Sequence, residues 1–349
     1  MADDPKNNEE ISELGEFPLI KHLTGKIKLK NKSSKCGVGD DAAVLDYPQK
    51  QVIVTTDLLT EGIHFNLMYT PLKHLGYKAA VVNFSDIYAM NAQPKQIIIA
   101  IAVSNKFTTK MIDELYSGIY LACDNYRVDV VGGDTSSSLT GLTITITAIG
   151  EASPKEITYR HGAEENDLIC VSGDLGGAYM GLQLLEREKS IFEKDTSIQP
   201  DLKGYKYILE RQLKPEARSD IIQILKKNNI NPTSMIDISD GLSSELFHIC
   251  YESKVGCKIF SEKIPVNPET VRMANEFNIE PVVAALNGGE DYELLFTVPL
   301  KMFDNTAKYT EISIIGHITN SSEGKQLITG DGKSMELKSQ GWDGLKQDL

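Results

Sequence analysis

A chain of 349 residues, 41% hydrophobic and 24% charged, has the length for two domains or one large one and the composition of a soluble globular protein. Forty-nine acidic against 36 basic residues give a formal charge of −13, which argues against nucleic acid as a partner, because that binding draws on lysine and arginine. No apolar run approaches the length of a membrane span, and the five scattered cysteines (Cys36, Cys123, Cys170, Cys250 and Cys257) form no CxxC pair, so neither a disulfide framework nor a zinc site is expected and a reducing cytoplasm fits.

The acidic N-terminus, MADDPKNNEE, lacks a hydrophobic segment and reads as a disordered tail over residues 1–12, not as a signal peptide. KCGVGDDAAVLD then sets Asp40 and Asp41 behind two glycines. VIVTTDLL predicts a strand carrying Asp57, and YKAAVVNFSDIYAM predicts a helix carrying Asp86. QIIIAIAVS predicts a buried strand, and KMIDELYSGIYLACDNY places Ile112, Leu115, Ile119 and Ala122 on one helical stripe. VDVVGGDT is a short strand ending in Asp134, and LTITITAIG alternates with Leu142, Ile144 and Ile146 on one face. The chain breaks near Ser153-Pro154, which divides it into an N-terminal domain, residues 1–152, and a C-terminal domain, residues 153–349. In the second half, DLICVSGDLGGAYMGLQLL predicts strand, tight glycine turn and helix. MIDISDGLSSELFHICYE predicts a strand running into a helix capped by Ser239 or Asp240. EPVVAALNGGEDYELLFTV predicts a helix stopped at Gly288 and then a strand, with a hairpin turn at Gly330 to Gly332.

Aspartates therefore recur beside glycines and strand ends: Asp40, Asp41, Asp57, Asp134, Asp237 and Asp240, with Asp86 on a helix and Glu290 and Asp291 after NGG. Each alone reads as a turn or cap residue. Together they suggest a site, since binding residues of α/β folds gather at strand carboxyl ends. Two unit charges about 4 Å apart repel by ~4 kcal/mol at an effective dielectric near 20, so five or six acids in one cleft require cations. Oxygen ligands without clustered histidine or cysteine favour magnesium, which commonly bridges to phosphates. No GxxxxGK[ST] is present, and SGDLGGA lacks the glycine spacing of a dinucleotide fingerprint, although backbone amides of VGGDTSSS could cradle an anion.

The ordered set GVGDDAAVLD, TTDLLTEGIHF, NFSDIYAMNAQP, GGDTSSS, DISDGLSSEL and GGEDYELLFTV resembles the thiamine-monophosphate kinase family over about residues 14–342. That family belongs to an ATP-binding superfamily with aminoimidazole ribonucleotide synthetase and selenophosphate synthetase. The resemblance implies a two-domain α/β (α+β) fold of the aminoimidazole ribonucleotide synthetase type, whose N-terminal strands join a dimer-related sheet, and hence a homodimer. It implies magnesium-dependent transfer of the ATP γ-phosphoryl group to thiamine monophosphate. By motif match, Asp41, Thr55, Thr56, Asp57, Asp86, Asp134, Asp237 and Asp240 would meet magnesium. Tyr116, Gly133, Asp134, Arg160 and Ser239 would meet ATP, and His64, Glu290 and Trp342 the thiamine moiety. No catalytic side chain is implied beyond these. The chain ends in GWDGLKQDL, where the family often has a Gly-aromatic-acid-His-Phe tail. Two other readings are another synthetase of the superfamily, for which Cys36 would have to supply a selenophosphate synthetase's reactive thiol, and a metal- and nucleotide-binding regulatory module without turnover.

Overall fold

Alternating apolar residues build a first sheet of six strands, seen in a computed structural model that describes residues 34–36 and 39–338, with backbone alone at Ser34 and Cys36. The expected tail over residues 1–12 and Trp342 lie outside the described residues. The strands are β1 (Ser34–Cys36), β2 (Ala43–Tyr47), β3 (Lys50–Thr60), β4 (Gln93–Val103), β5 (Asp129–Ser137) and β6 (Leu142–Ala152), in the order β1-β2-β3-β6-β4-β5. Only β4 and β5 run parallel, joined through a helix. The alternation in β6 is realised as expected, with Leu142, Ile144 and Ile146 fully buried and the intervening threonines half-buried on the other face. Contrary to expectation, β4 is not buried on both faces: Ile98 is 41% exposed. The expected short strand around GGDT extends to Ser137 and forms the exposed edge β5.

Two helices cover the inner face of this sheet, α1 (Leu72–Ala89) and α2 (Thr109–Tyr126). They approach closely through a reciprocal pair of glycines. A Cβ on Gly76 would lie 1.9 Å from the Leu115 carbonyl oxygen, and one on Gly118 would lie 1.9 Å from that of Lys73. Nearly every residue of α1 is buried, because its other side meets a second sheet; a helix apolar all round belongs inside.

That second sheet has seven strands in the order β13-β12-β9-β11-β7-β10-β8. They are β7 (Leu168–Ser172), β8 (Ser234–Asp237), β9 (Gly256–Phe260), β10 (Leu294–Val298), β11 (Ile312–Thr319), β12 (Lys325–Ile328) and β13 (Ser334–Glu336). All neighbours are antiparallel except β9 and β12. Around it lie α3 (Gly177–Lys194), α4 (Lys206–Leu213), α5 (Ser219–Lys227), α6 (Leu242–Ser253), α7 (Pro268–Glu276), α8 (Pro281–Asn287) and α9 (Phe303–Thr306). One apolar cluster runs from Ile53 and Ile146 of the first sheet through Phe84 of α1 to Leu294 and Phe296 of the second.

Three local expectations meet the structure at glycines. The hairpin between β12 and β13 turns where expected, with Gly332 at φ 79°. SGDLGGA is a tight turn, and the N-terminus of α3 is closed by the chain itself: Asp291 accepts from the Gly176 and Ala178 amides at 2.6 and 3.3 Å. The expected cap of α6 is corrected. Gly241, at φ 121°, is the N-cap residue, and Glu245 reaches back to accept from the Asp240 amide at 3.1 Å.

Candidate active site

Four acids converge where α1 is held between the sheets. Asp57 projects from the inner face of β3, Asp86 from α1, Asp237 from the end of β8, and Asp41 from the turn entering β2. Carboxylate oxygens of Asp41, Asp86 and Asp237 lie within 4.8 Å of one another, a spacing that fits a divalent cation. The expected gathering at strand carboxyl ends holds for Asp237, the last residue of β8, but not for Asp86 on a helix or Asp41 ahead of a strand. The convergence arises because antiparallel strands and a buried helix point side chains into one seam.

Hydrogen bonds fix these groups. The Thr55 hydroxyl donates to Asp86 Oδ2 at 2.6 Å, and the Ser85 hydroxyl donates to Asp237 Oδ2 at 2.6 Å. Arg160 makes a forked contact with Asp41, Nε to Oδ2 at 3.0 Å and Nη2 to Oδ1 at 2.8 Å, while its backbone N–H donates to both oxygens of Asp40 at 3.2 and 3.3 Å. Asp40 thus holds the segment bearing Arg160 and leaves the seam to Asp41.

Crowding and burial oppose ionisation here. Burial pushes Asp57 up to about 6, and burial with the charge of Asp41 pushes Asp237 up to about 7. Asp86 is raised well above the usual carboxylate range by burial and by the charges of Asp57, Asp237 and Asp41. A cluster that resists losing its protons without a cation, but offers several oxygens once it has lost them, has the donor chemistry of a magnesium site.

A cavity of about 160 Å³ opens beside the cluster, lined by Asp57, Asp86, Asp237, Ser239, Tyr292, Lys78, Glu290 and His64, among others. His64 Nδ1 accepts from the Thr60 amide at 3.0 Å, so the ring proton of the neutral form is on Nε2. Burial, ahead of nearby charges, lowers the His64 pKa. Glu290 and Tyr292 both adopt left-handed backbone, φ 65° and 52°, on either side of the buried Asp291. Non-glycine residues in that region are strained, and such strain collects at binding sites.

Other expected site residues lie elsewhere. The Thr56 side chain faces the opposite side of β3, bonding the Ile146 carbonyl and Thr147 at 3.2 and 3.0 Å, and does not join the acids. Gly133 and Asp134 lie exposed in edge strand β5, three strands from β3 and level with Asp57. At about 4.8 Å per strand, that is roughly 14 Å across the sheet. Tyr116, on α2, packs beside Tyr120 with ring centres 5.8 Å apart and does not line the cavity. Asp240 follows β8 close to Asp237 and also stays outside the cavity lining.

Lys78, Gln212 and Tyr292 carry no role in the sequence reading. Lys78 had a legible signal: Lys78, Val82 and Asp86 recur every fourth residue on one helical face, and all three line the cavity. Gln212 and Tyr292 had none.

The sequence pattern of the AIR synthase related protein N-terminal domain matches residues 39–152. The thiamine-monophosphate kinase of Aquifex aeolicus (strain VF5) is 34% identical over 332 residues, covering 95% of this chain and 98% of that protein. This chain belongs to the thiamine-monophosphate kinase family. The thiamine-monophosphate kinase of Bacillus subtilis (strain 168) is 33% identical over 344 residues, covering 95% and 100% of the two chains. The solved structure of AaThiL complexed with AMPPCP and TMP superposes with a TM-score of 0.82 at 31% identity, covering 97% of this chain and 99% of that one. The fold is therefore the two-sheet α+β architecture of the thiamine-monophosphate kinase family, and the family relationship supersedes the alternatives of another synthetase or a regulatory module.

Proposed function

We propose that the protein transfers the γ-phosphoryl group of ATP to the phosphate of thiamine monophosphate, giving thiamine diphosphate and ADP. The observation that carries this reading, in a chain of this family, is the convergence of Asp41, Asp86 and Asp237 beside a cavity that Glu290 and His64 also line. Asp41, Asp57, Asp86 and Asp237 would hold magnesium, with Thr55 orienting Asp86. Bound there, magnesium would supply neutralisation of the phosphate charges on both reactants.

The chain's own contribution is positioning. The acceptor is a phosphate oxygen already ionised near pH 7, so no strong general base is required and the transfer proceeds directly, without a covalent intermediate. Arg160 keeps Asp41 in place through its fork. Ser239 borders the acids and would meet a nucleotide phosphate. His64, with its proton on Nε2, and Glu290 would face the ring end of the acceptor. We extend the nucleotide site to Tyr116, Gly133 and Asp134, and the metal site to Asp240, on motif match alone.

We further propose a homodimer formed through the first sheet. Its outer face exposes Leu58 at 55% and Ile98 at 41%, with Val131 at 57% in the bulge of edge strand β5, an apolar area that a second copy would cover. Such a partner would also lie over Gly133 and Asp134 of the edge strand. Domain division near residue 153 is supported by the end of the first sheet at Ala152 and the start of the second at Leu168. A cytoplasmic location agrees with the unpaired thiols of Cys123, Cys170, Cys250 and Cys257. Among the described residues no helix is long and apolar enough to cross a membrane.

Chromatographic analysis of products from thiamine monophosphate and from free thiamine tests the reading. Thiamine diphosphate and ADP should form from the first, and no phosphorylated product from the second. Equal turnover of free thiamine would overturn it.

A further inference from the structure

The cavity is lined by chemically different groups. Asp86 and Lys78 both line it from one face of α1, eight residues apart, so their Cα atoms are separated by about 12 Å along the helix axis. Phosphoryl chemistry belongs to the acids, and Lys78 is directed elsewhere. Its buried ammonium lies 2.7 Å from Glu290 Oε1 and donates to the Gln212 carbonyl at 3.1 Å. Gln212 closes the ring, its side-chain Nε2 donating to Glu290 Oε2 at 2.7 Å. Each carboxylate oxygen of Glu290 is thus gripped by a different donor, on a residue whose own backbone is left-handed. The side chain of Glu290 remains 30% exposed, which leaves lone pairs for a ligand.

This grip carries a penalty. With Nε2 committed to Glu290, Gln212 Oε1 is buried and finds no hydrogen-bond partner among the described residues. An orphaned acceptor of that kind opposes folding, so packing alone would favour an apolar side chain at residue 212. The cost of this arrangement points to a task at Glu290.

We infer that Lys78 and Gln212 are positioning residues that lock the Glu290 carboxylate as the acceptor for an N–H donor on the amino-substituted ring end of the substrate, remote from the transferring phosphoryl group. The assignment rests on the kinase reading above. Lys78 supplies the charge that holds Glu290 and Gln212 supplies the direction.

Steady-state kinetics on the full chain test it, with calorimetric binding of thiamine monophosphate as a readout independent of turnover. Gln212→Met should raise KM for thiamine monophosphate and weaken its binding at least tenfold. It should leave KM for ATP within twofold and melt at or above the wild-type temperature. Lys78→Met should act in the same direction, and Lys78→Arg should recover part of the loss. Where Lys78→Met fails to fold, Gln212→Met alone decides. A Gln212→Met protein with lowered melting temperature and unchanged KM has lost only a structural contact, and the inference falls. It falls equally if both KM values rise together. A wild type that makes no thiamine diphosphate overturns the kinase reading and this inference with it; a wild type that does, with unchanged variants, overturns this inference alone.

Discussion

Asp237→Asn isolates the electrostatics of the acidic seam. The change keeps the side chain's shape and the bond from Ser85, because an amide oxygen accepts as a carboxylate oxygen does, and removes one charge. Burial and Asp41 raise Asp237 from 3.8 to about 7, so the folded protein binds this proton more tightly than the unfolded chain. The stability tied to it is fully present below pH 3.8 and is lost as the pH rises through about 7. At pH 8, in metal-free protein, the loss amounts to at most roughly 4 kcal/mol. With an unfolding entropy of about 2 cal/mol/K per residue, a chain of this length converts that into roughly 5 °C. Calorimetry in chelator at pH 5 and pH 8 should therefore find Asp237→Asn melting above wild type at pH 8, with the gap narrowing at pH 5. Magnesium with a non-hydrolysable ATP analogue should stabilise wild type more than the variant. Turnover should fall on the order of 100-fold or more. A variant that melts below wild type at pH 8 in chelator, yet gains as much from magnesium and nucleotide, would refute the reasoning and make Asp237 a turn residue.

Asp57→Asn should behave alike but more weakly, since burial raises Asp57 only to about 6; an active variant with an unchanged magnesium requirement would remove it from the metal site. Gly118→Ala forces a Cβ against the Lys73 carbonyl and should destabilise by about 1–3 kcal/mol or more, read as a shift in the denaturant midpoint. Leu58→Lys combined with Ile98→Lys charges the exposed apolar face, and light scattering should find a monomer where the wild type gives the proposed dimer. Chelation should abolish turnover, and added magnesium should restore it within the assay.

Local pattern carried far in this chain. The alternation of LTITITAIG specifies a strand with one buried face, because successive side chains of a strand point to opposite sides. The branched apolar run of VIVTTDLL and the alanine-rich helix bearing Asp86 lie where periodicity puts them. The ordered acidic motifs sufficed to point to the family. Distances between segments are another matter, because no local rule states which acid faces which. Thr56 stands beside Asp57 in the sequence and on the other side of the sheet in space, since the pleat reverses direction at every residue. Asp134 shares the glycine habit of the other acids, but its strand pairs at the far edge. Lys78 shares a helical face with Asp86 in the sequence, but its pairing with Glu290 is fixed only once α1 is held between two sheets. The composition and period of the chain determined its elements and its acidic character. The packing of α1 between the sheets decided which acids meet, because only burial from both sides brings carboxylate oxygens of Asp41, Asp86 and Asp237 within 4.8 Å of one another.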